Sequence, residues 1–176
     1  IAVRDAVNKG EIPGATLYVS GPFIQNKPYP GTEMSRWGVD SPEDGRKKVK
    51  KLATDGVDVI KLIDPDRMAM DEVRAVVDEA HKHNLKVVAH SHRPEEIRRG
   101  LEVGVDCFEH TGLSSAPEYP ADVMEMIKER TADMSQGPLF WCPTVEVLYN
   151  FEYNRDNMEF ADDDSWHLGL PDTVIT

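Results

Sequence analysis

The chain has 176 residues, 40% of them apolar and 30% charged, the balance of a soluble globular protein with a sizeable core. Acidic side chains outnumber basic ones 32 to 20, for a net charge of -12. The basic residues gather only at Arg46-Lys47-Lys48 and Lys50-Lys51, among acids, so no nucleic-acid or anionic-membrane partner is expected.

IAVRDAVNKG reads as the end of an amphipathic helix stopped by Gly10, and TLYVSG (16–21) as a short buried strand. The stretch from 21 to 38 is too rich in Gly and Pro for regular structure. Ser41, Pro42 and Glu43 cap a helix that closes at Gly56, and VDVIKLI (57–63) is the next strand. The pattern then recurs. Helices are expected over 70–84, 93–104 and 121–134, and strands over 85–92, 105–110 and 138–145. Beyond Tyr149 the chain is acidic and weakly periodic, so 1–150 is taken as the structured part and 151–176 as a separate segment.

Short apolar strands each followed by a helix predict parallel β/α units covered on both faces. Five such strands make either a small doubly wound sheet or part of a (β/α)8 barrel, which when complete needs about 250 residues. The chain opens on Ile1 in mid-helix pattern, so its N-terminus is expected to lie upstream. No stretch approaches the roughly 20 apolar residues of a membrane span, and no signal-peptide pattern is present. Cys107 and Cys142 lie in apolar runs and read as buried free thiols; this suits a reducing compartment, and a cytoplasmic location is favoured.

Chemistry in parallel β/α folds collects where strands end. Lys61 closes one strand, His90 and His92 the next, and His110 the third. Strand alternation puts Val57, Val59 and Lys61 on one face, Val88, His90 and His92 on another, and Asp106, Phe108 and His110 on a third. Neighbouring strands about 4.8 Å apart would bring such bases within reach of one metal or a metal pair. Taken singly, each has a plainer reading: Lys61 as a snorkelling rim lysine, His90 or His110 as a hydrogen-bonded rim histidine, His92 as a loop residue. His81 and His83, in the last turn of a helix, suit its dipole. A non-catalytic β/α domain that binds an anionic ligand through the strand-end Lys and His is the alternative function. Gln25, Arg93, Trp141 and Tyr153 are candidates for lining a substrate pocket.

GVDVIK, DEVRAVVDEAHKHNLKVVAHSH and GLEVGVDCFEHTG, with RDAVNKGEIPGATLYVSGPFI upstream and FWCPTVEV downstream, resemble the metal-dependent amidohydrolase superfamily. The likeness is to its imidazolonepropionase-like and Xaa-Pro or Xaa-Arg dipeptidase branch. It implies an α/β fold that is a partial (β/α)8 TIM barrel, about strands three to seven of that barrel. It further implies a carboxylated Lys61 bridging two divalent metals, zinc or similar, with His90 and His110 as terminal ligands and His92 as an optional outer group. The reaction implied is hydrolysis of a carbon–nitrogen bond in an amide, dipeptide or cyclic amide, so the partner is a small molecule or dipeptide. The family's strand-one HxH pair is missing upstream of Lys61, and its strand-eight aspartate should lie beyond Thr144; Asp162, Asp163 and Asp164 come too soon after strand seven to supply it. Where relatives carry Gly-Gly-His, this chain reads PGTEMSRWG. It is therefore expected to be a central fragment with negligible turnover alone.

Overall fold

A computed structural model describes residues 1–111 and 118–144. Backbone contacts divide the chain into two units, Ile1–Pro143 and Thr144–Thr176. The second unit apart from Thr144, the expected boundary at 150, and the residues Tyr153, Asp162, Asp163, Asp164 and His167 lie outside the described residues. No helix among the described residues is long and apolar enough to cross a membrane.

Six strands, β1 (Phe23–Gln25), β2 (Arg36–Gly38), β3 (Val59–Leu62), β4 (Lys86–His90), β5 (Cys107–Glu109) and β6 (Phe140–Cys142), form one parallel sheet in the order β2-β1-β3-β4-β5-β6. Among the described residues five α-helices accompany them: α1 (Ala2–Asn8), α2 (Pro42–Asp55), α3 (Met70–Lys82), α4 (Pro94–Val103) and α5 (Ala121–Ala132). The four longer helices lie where their amphipathic spacing predicts. Ser41 accepts the Asp44 backbone N–H at 3.2 Å to start α2, and Gly56 in the left-handed region ends it. Glu72 accepts from the Ala69 N–H at 2.9 Å and Glu96 from the Arg93 N–H at 2.8 Å, so α3 and α4 each satisfy an orphan donor with an acid three residues on.

Two strand assignments change. Residues 16–21 do not form a strand; the pairing stretch is Phe23–Gln25. Gly21 at φ 65° interrupts the extended run, and before it Val19 pairs with Asp58, just ahead of β3, whose N–H donates to the Val19 carbonyl and whose Oδ2 accepts the Val19 N–H, both at 2.8 Å. Arg36–Gly38 is a sixth strand inside the stretch expected to be irregular, too short to show periodicity and added to the free edge of β1.

Among the described residues the helices cover one face of the sheet, not both. Register places Ile24, Leu62, Ala89, Phe108 and Trp141 in one row and Ile60 and Val87 in another. Trp141 is half-buried and the other six are fully buried, packed with Val49 and Leu52 of α2, Val73, Val76 and Val77 of α3 and Ile97 of α4. One-sided helical cover on a parallel sheet is the arrangement of a partial α/β barrel. The opposite, inner face carries Lys61, Val88, Cys107 and Phe140 in one row and His90, Glu109 and Cys142 in the next. The cysteines are accordingly not core thiols: Cys107 is partly buried and Cys142 exposed, because both belong to the inner face.

At the N-terminal end of the strands, the buried Asp106 carboxylate accepts from the Val87 N–H (2.9 Å) and Lys86 Nζ (2.7 Å) and lies 2.8 Å from His81 Nε2, tying α3, β4 and β5 together. His83 lies 3.4 Å from Glu79. Both helix-end histidines thus have structural partners, as their position predicts.

Candidate metal centre

The C-terminal ends of β4 and β5 bring three imidazoles together. The ring centroids of His90 and His92 are 4.1 Å apart, those of His90 and His110 5.1 Å, and those of His92 and His110 5.5 Å. His90 stands on the inner face at the last position of β4. His92 lies two residues beyond, where its Nδ1–H donates to the His110 carbonyl at 3.1 Å, a bond that selects the tautomer and leaves Nε2 as an acceptor.

His110 reaches the cluster by a different route from the one alternation predicts. Phe108 points into the helical layer, fully buried, so the inner-face residues of β5 are Cys107 and Glu109. Extended backbone would send His110 outward with Phe108. Instead His110 adopts φ 59°, the left-handed region that non-glycine residues rarely enter, and its ring lies beside those of His90 and His92. The grouping of Asp106, Phe108 and His110 on a site-facing side is therefore corrected: a large apolar residue between Cys107 and Glu109 belongs to the core, and the kink at His110 reverses its direction.

Lys61 is buried, 8% exposed, on the inner face one row below His90. Its Nζ contacts Glu109 Oε2, and that same oxygen is 3.9 Å from His110 Nε2. Glu109 was not among the residues singled out from sequence; the apolar Phe108 beside it is the signal that turns it inward.

The electrostatics favour neutral imidazoles at His90 and His110. Burial above all, then the neighbouring His92, His110 and Lys61, holds His90 down at about 4. Burial and then Lys61 lower His110 as well, with Glu109 opposing. Neutral imidazole is the form that ligates zinc-like ions, so His90 and His110 fit the divalent metal of the resemblance. Lys61 fits it as a carboxylated side chain only after leaving Glu109.

A second polar cluster lies alongside. Asp64, Asp66 and Glu96 offer carboxylate oxygens within 4.8 Å of one another, a spacing capable of holding a metal ion. The Arg93 guanidinium stands among them: its Nη2 is 3.2 Å from Asp64, 2.8 Å from Asp66 and 3.0 Å from Glu96, and its Nε donates to Asp66 at 3.1 Å. Arg93 is thus an anchor between the loops after β3 and β4. Burial, against the pull of Arg93 and with Asp66 and Asp64 adding to it, pushes Glu96 up to about 7.

Of the pocket-lining candidates, Gln25 borders a cavity of about 370 Å³ with Asn26, Lys27, Tyr29, Asp64 and Arg67. Trp141 packs instead in the core against Phe108 and Tyr119. A larger cavity of about 540 Å³ lies at the opposite end of the strands around His81, Lys86 and Asp106, away from His90, His92 and His110.

No family model matches the sequence, and no curated protein matches it. Solved structures do. A structure assigned as a prolidase from Bifidobacterium longum is 27% identical over 81% of this chain and 36% of its own, with a TM-score of 0.65. A prolidase complexed with N-methylphosphonate-L-proline is 25% identical over 73% of this chain and 38% of its own, with a TM-score of 0.61. The A. niger ochratoxinase shares the fold at 23% identity, over 87% of this chain and 41% of its own, with a TM-score of 0.69. The chain thus spans about two fifths of the length of these relatives. These likenesses show a shared fold, and the two distant prolidase matches support the broad amidohydrolase-superfamily assignment.

Proposed function

We propose that the protein to which this chain belongs is a metal-dependent hydrolase of carbon–nitrogen bonds, acting on an amide, dipeptide or cyclic amide, and that the chain supplies the middle of its barrel, about strands three to seven. The branch we infer is the imidazolonepropionase-like and Xaa-Pro or Xaa-Arg dipeptidase one. The observation that carries the reading is the meeting of His90 and His110, 5.1 Å between ring centroids, above a buried inner-face lysine at the C-terminal end of a parallel sheet. The likeness to solved prolidases supports it.

In this reading His90 and His110 would hold a divalent pair, zinc or similar, as terminal ligands, and Lys61 would hold it as a carbamate. Carboxylation joins Nζ to the carbon of carbon dioxide and releases two protons to solvent, one from the ammonium and one on forming the carbamate, so a cationic side chain becomes an anionic one. Bound ions of this kind polarise a carbonyl and lower the pKa of a ligated water. His92, tied to the His110 carbonyl, keeps the loop beyond β4 against the end of β5. The substrate lies toward the cavity bordered by Gln25 and Asp64.

Metal content of the full-length protein after zinc loading tests the reading, together with amide and dipeptide hydrolysis by the wild type and Lys61→Ala. Stoichiometric zinc and a loss of about a thousandfold or more in turnover on Lys61→Ala are expected. Metal-free protein after loading, or full activity without Lys61, would overturn it. The contact of Lys61 with Glu109 favours a second reading, a non-catalytic β/α domain in which Lys61 stays a cation and an anionic ligand binds at the strand ends. In that case the intact mass shows no added 44 Da that is lost on acidification, and ligand affinity falls with salt rather than with chelator.

A further inference from the structure

Glu109 and His110 are neighbours in sequence, and in a regular strand their side chains would diverge. The left-handed turn at His110 makes them converge, with Glu109 Oε2 at 3.9 Å from His110 Nε2. Two donors each about 2.1 Å from one tetrahedral ion stand about 3.4 Å apart, so this pair is within about half an ångström of a shared-ligand spacing. Register places Glu109 directly opposite His90 on the same inner face. Glu109 is part-exposed, its side chain at 34%, so an ion can reach it from solvent.

The charge argument runs the same way. Lys61 is the cation against which Glu109 rests. A carboxylated Lys61 is an anion and can no longer neutralise it, and two carboxylates left side by side without a cation repel strongly. A divalent ion at His110 removes that repulsion by taking Glu109 as a ligand.

We propose that Glu109 is a further metal ligand, supplying a carboxylate oxygen to the ion held by His110 and exchanging Lys61 for that ion when metal binds. The inference rests on the reading of His90 and His110 as ligands, and does not require Lys61 to be carboxylated.

Cobalt(II) titration of the full-length protein, followed by calorimetry and visible absorption, tests it in the wild type, Glu109→Asp, Glu109→Gln and an H90A/H110A double variant. Both Glu109 variants are expected to bind cobalt about tenfold or more weakly and with a shifted visible band, and the double histidine variant to lose the band. Glu109→Asp keeps the charge but withdraws the carboxylate by about 1.5 Å, so a carboxylate acting only through its field leaves that titration unchanged. An unaltered affinity and band in Glu109→Asp overturns Glu109 as a ligand and leaves the histidines standing. Unaltered binding in H90A/H110A, or a wild type that binds no cobalt, overturns the reading beneath it. Circular dichroism precedes each titration, and should Glu109→Asp not fold, the band position in Glu109→Gln decides.

Discussion

Gly100 of α4 lies directly against the ring of Phe108: a β-carbon built on Gly100 would stand 2.5 Å from Phe108 Cε1 and 2.8 Å from Cζ. The close approach lets α4 seat on β5, and it fixes which face Phe108 occupies. Because alternation is strict, burying Phe108 turns Cys107 and Glu109 to the inner face. Helix packing thus sets the phase of the strand that presents the candidate metal site.

Gly100→Ala is therefore expected to destabilise the fold despite improving helix propensity. Alanine gains about 1 kcal/mol over glycine in a helix, whereas overpacking a tight core costs about 1–3 kcal/mol. The Phe108 ring cannot retreat freely, since Trp141 packs at 5.4 Å between centroids. A net loss of up to about 2 kcal/mol should appear as a lower urea midpoint with unchanged slope; a midpoint at or above wild type would show that the ring yields at no cost.

The backbone of His110 separates its two contributions. Asparagine tolerates the left-handed region, while a β-branched residue does not. His110→Asn should fold with stability within about 0.5 kcal/mol of wild type yet lose cobalt affinity, whereas His110→Val should lose about 1–3 kcal/mol of stability as well. Equal stability of the two variants would mean that φ 59° at this position is not held in solution.

Most of the fold is legible in the sequence because apolar spacing survives in α2 to α5 and in β3 to β5. What is not legible lies where a short-range rule gives way. TLYVSG looks like a strand by composition, but Gly21 moves the pairing past itself to Phe23. Arg36–Gly38 is held by the edge of β1, a tertiary partner that no local pattern encodes. At the site, Lys61 and His90 follow from alternation, but His110 does not: counting in twos assigns it to the wrong face, and only a positive φ returns it. Glu109 and the carboxylates around Arg93 are overlooked for a related reason, since acids near strand ends are common and only their convergence singles these out.

Arg93 is expected to serve as the cation of the Asp64, Asp66 and Glu96 cluster, which three oxygen donors would otherwise offer to a hard ion. Replacing it by methionine keeps much of the bulk but leaves Asp66 and Glu96 without their guanidinium and Asp64 with its 3.5 Å contact to Arg67, at a cost of about 2 kcal/mol or more. Millimolar calcium should then raise the melting temperature of Arg93→Met by several degrees while leaving the wild type unmoved; each kcal/mol corresponds to about 2–4 °C in a domain of this size. Equal stabilisation of both proteins would show that the guanidinium and a metal ion occupy different places.

The raised Glu96 carboxyl makes stability depend on pH in a defined direction. In an unfolded chain a glutamate titrates near 4.3, whereas burial holds Glu96 up at about 7 in the fold. The folded state therefore binds the proton more tightly than the unfolded state, and stability falls with rising pH wherever that holds. The contribution is complete below about 4.3 and is lost as pH rises through about 7. Glu96→Gln retains a side-chain acceptor for the Arg93 N–H, which Glu96 binds at 2.8 Å, but has no proton to lose. Wild type should thus be the more stable relative to Glu96→Gln at pH 5 than at pH 8, the difference shrinking or reversing between the two. Urea unfolding of both proteins across that interval measures it. Parallel stability profiles would mean that Arg93 outweighs burial and keeps Glu96 ionised throughout.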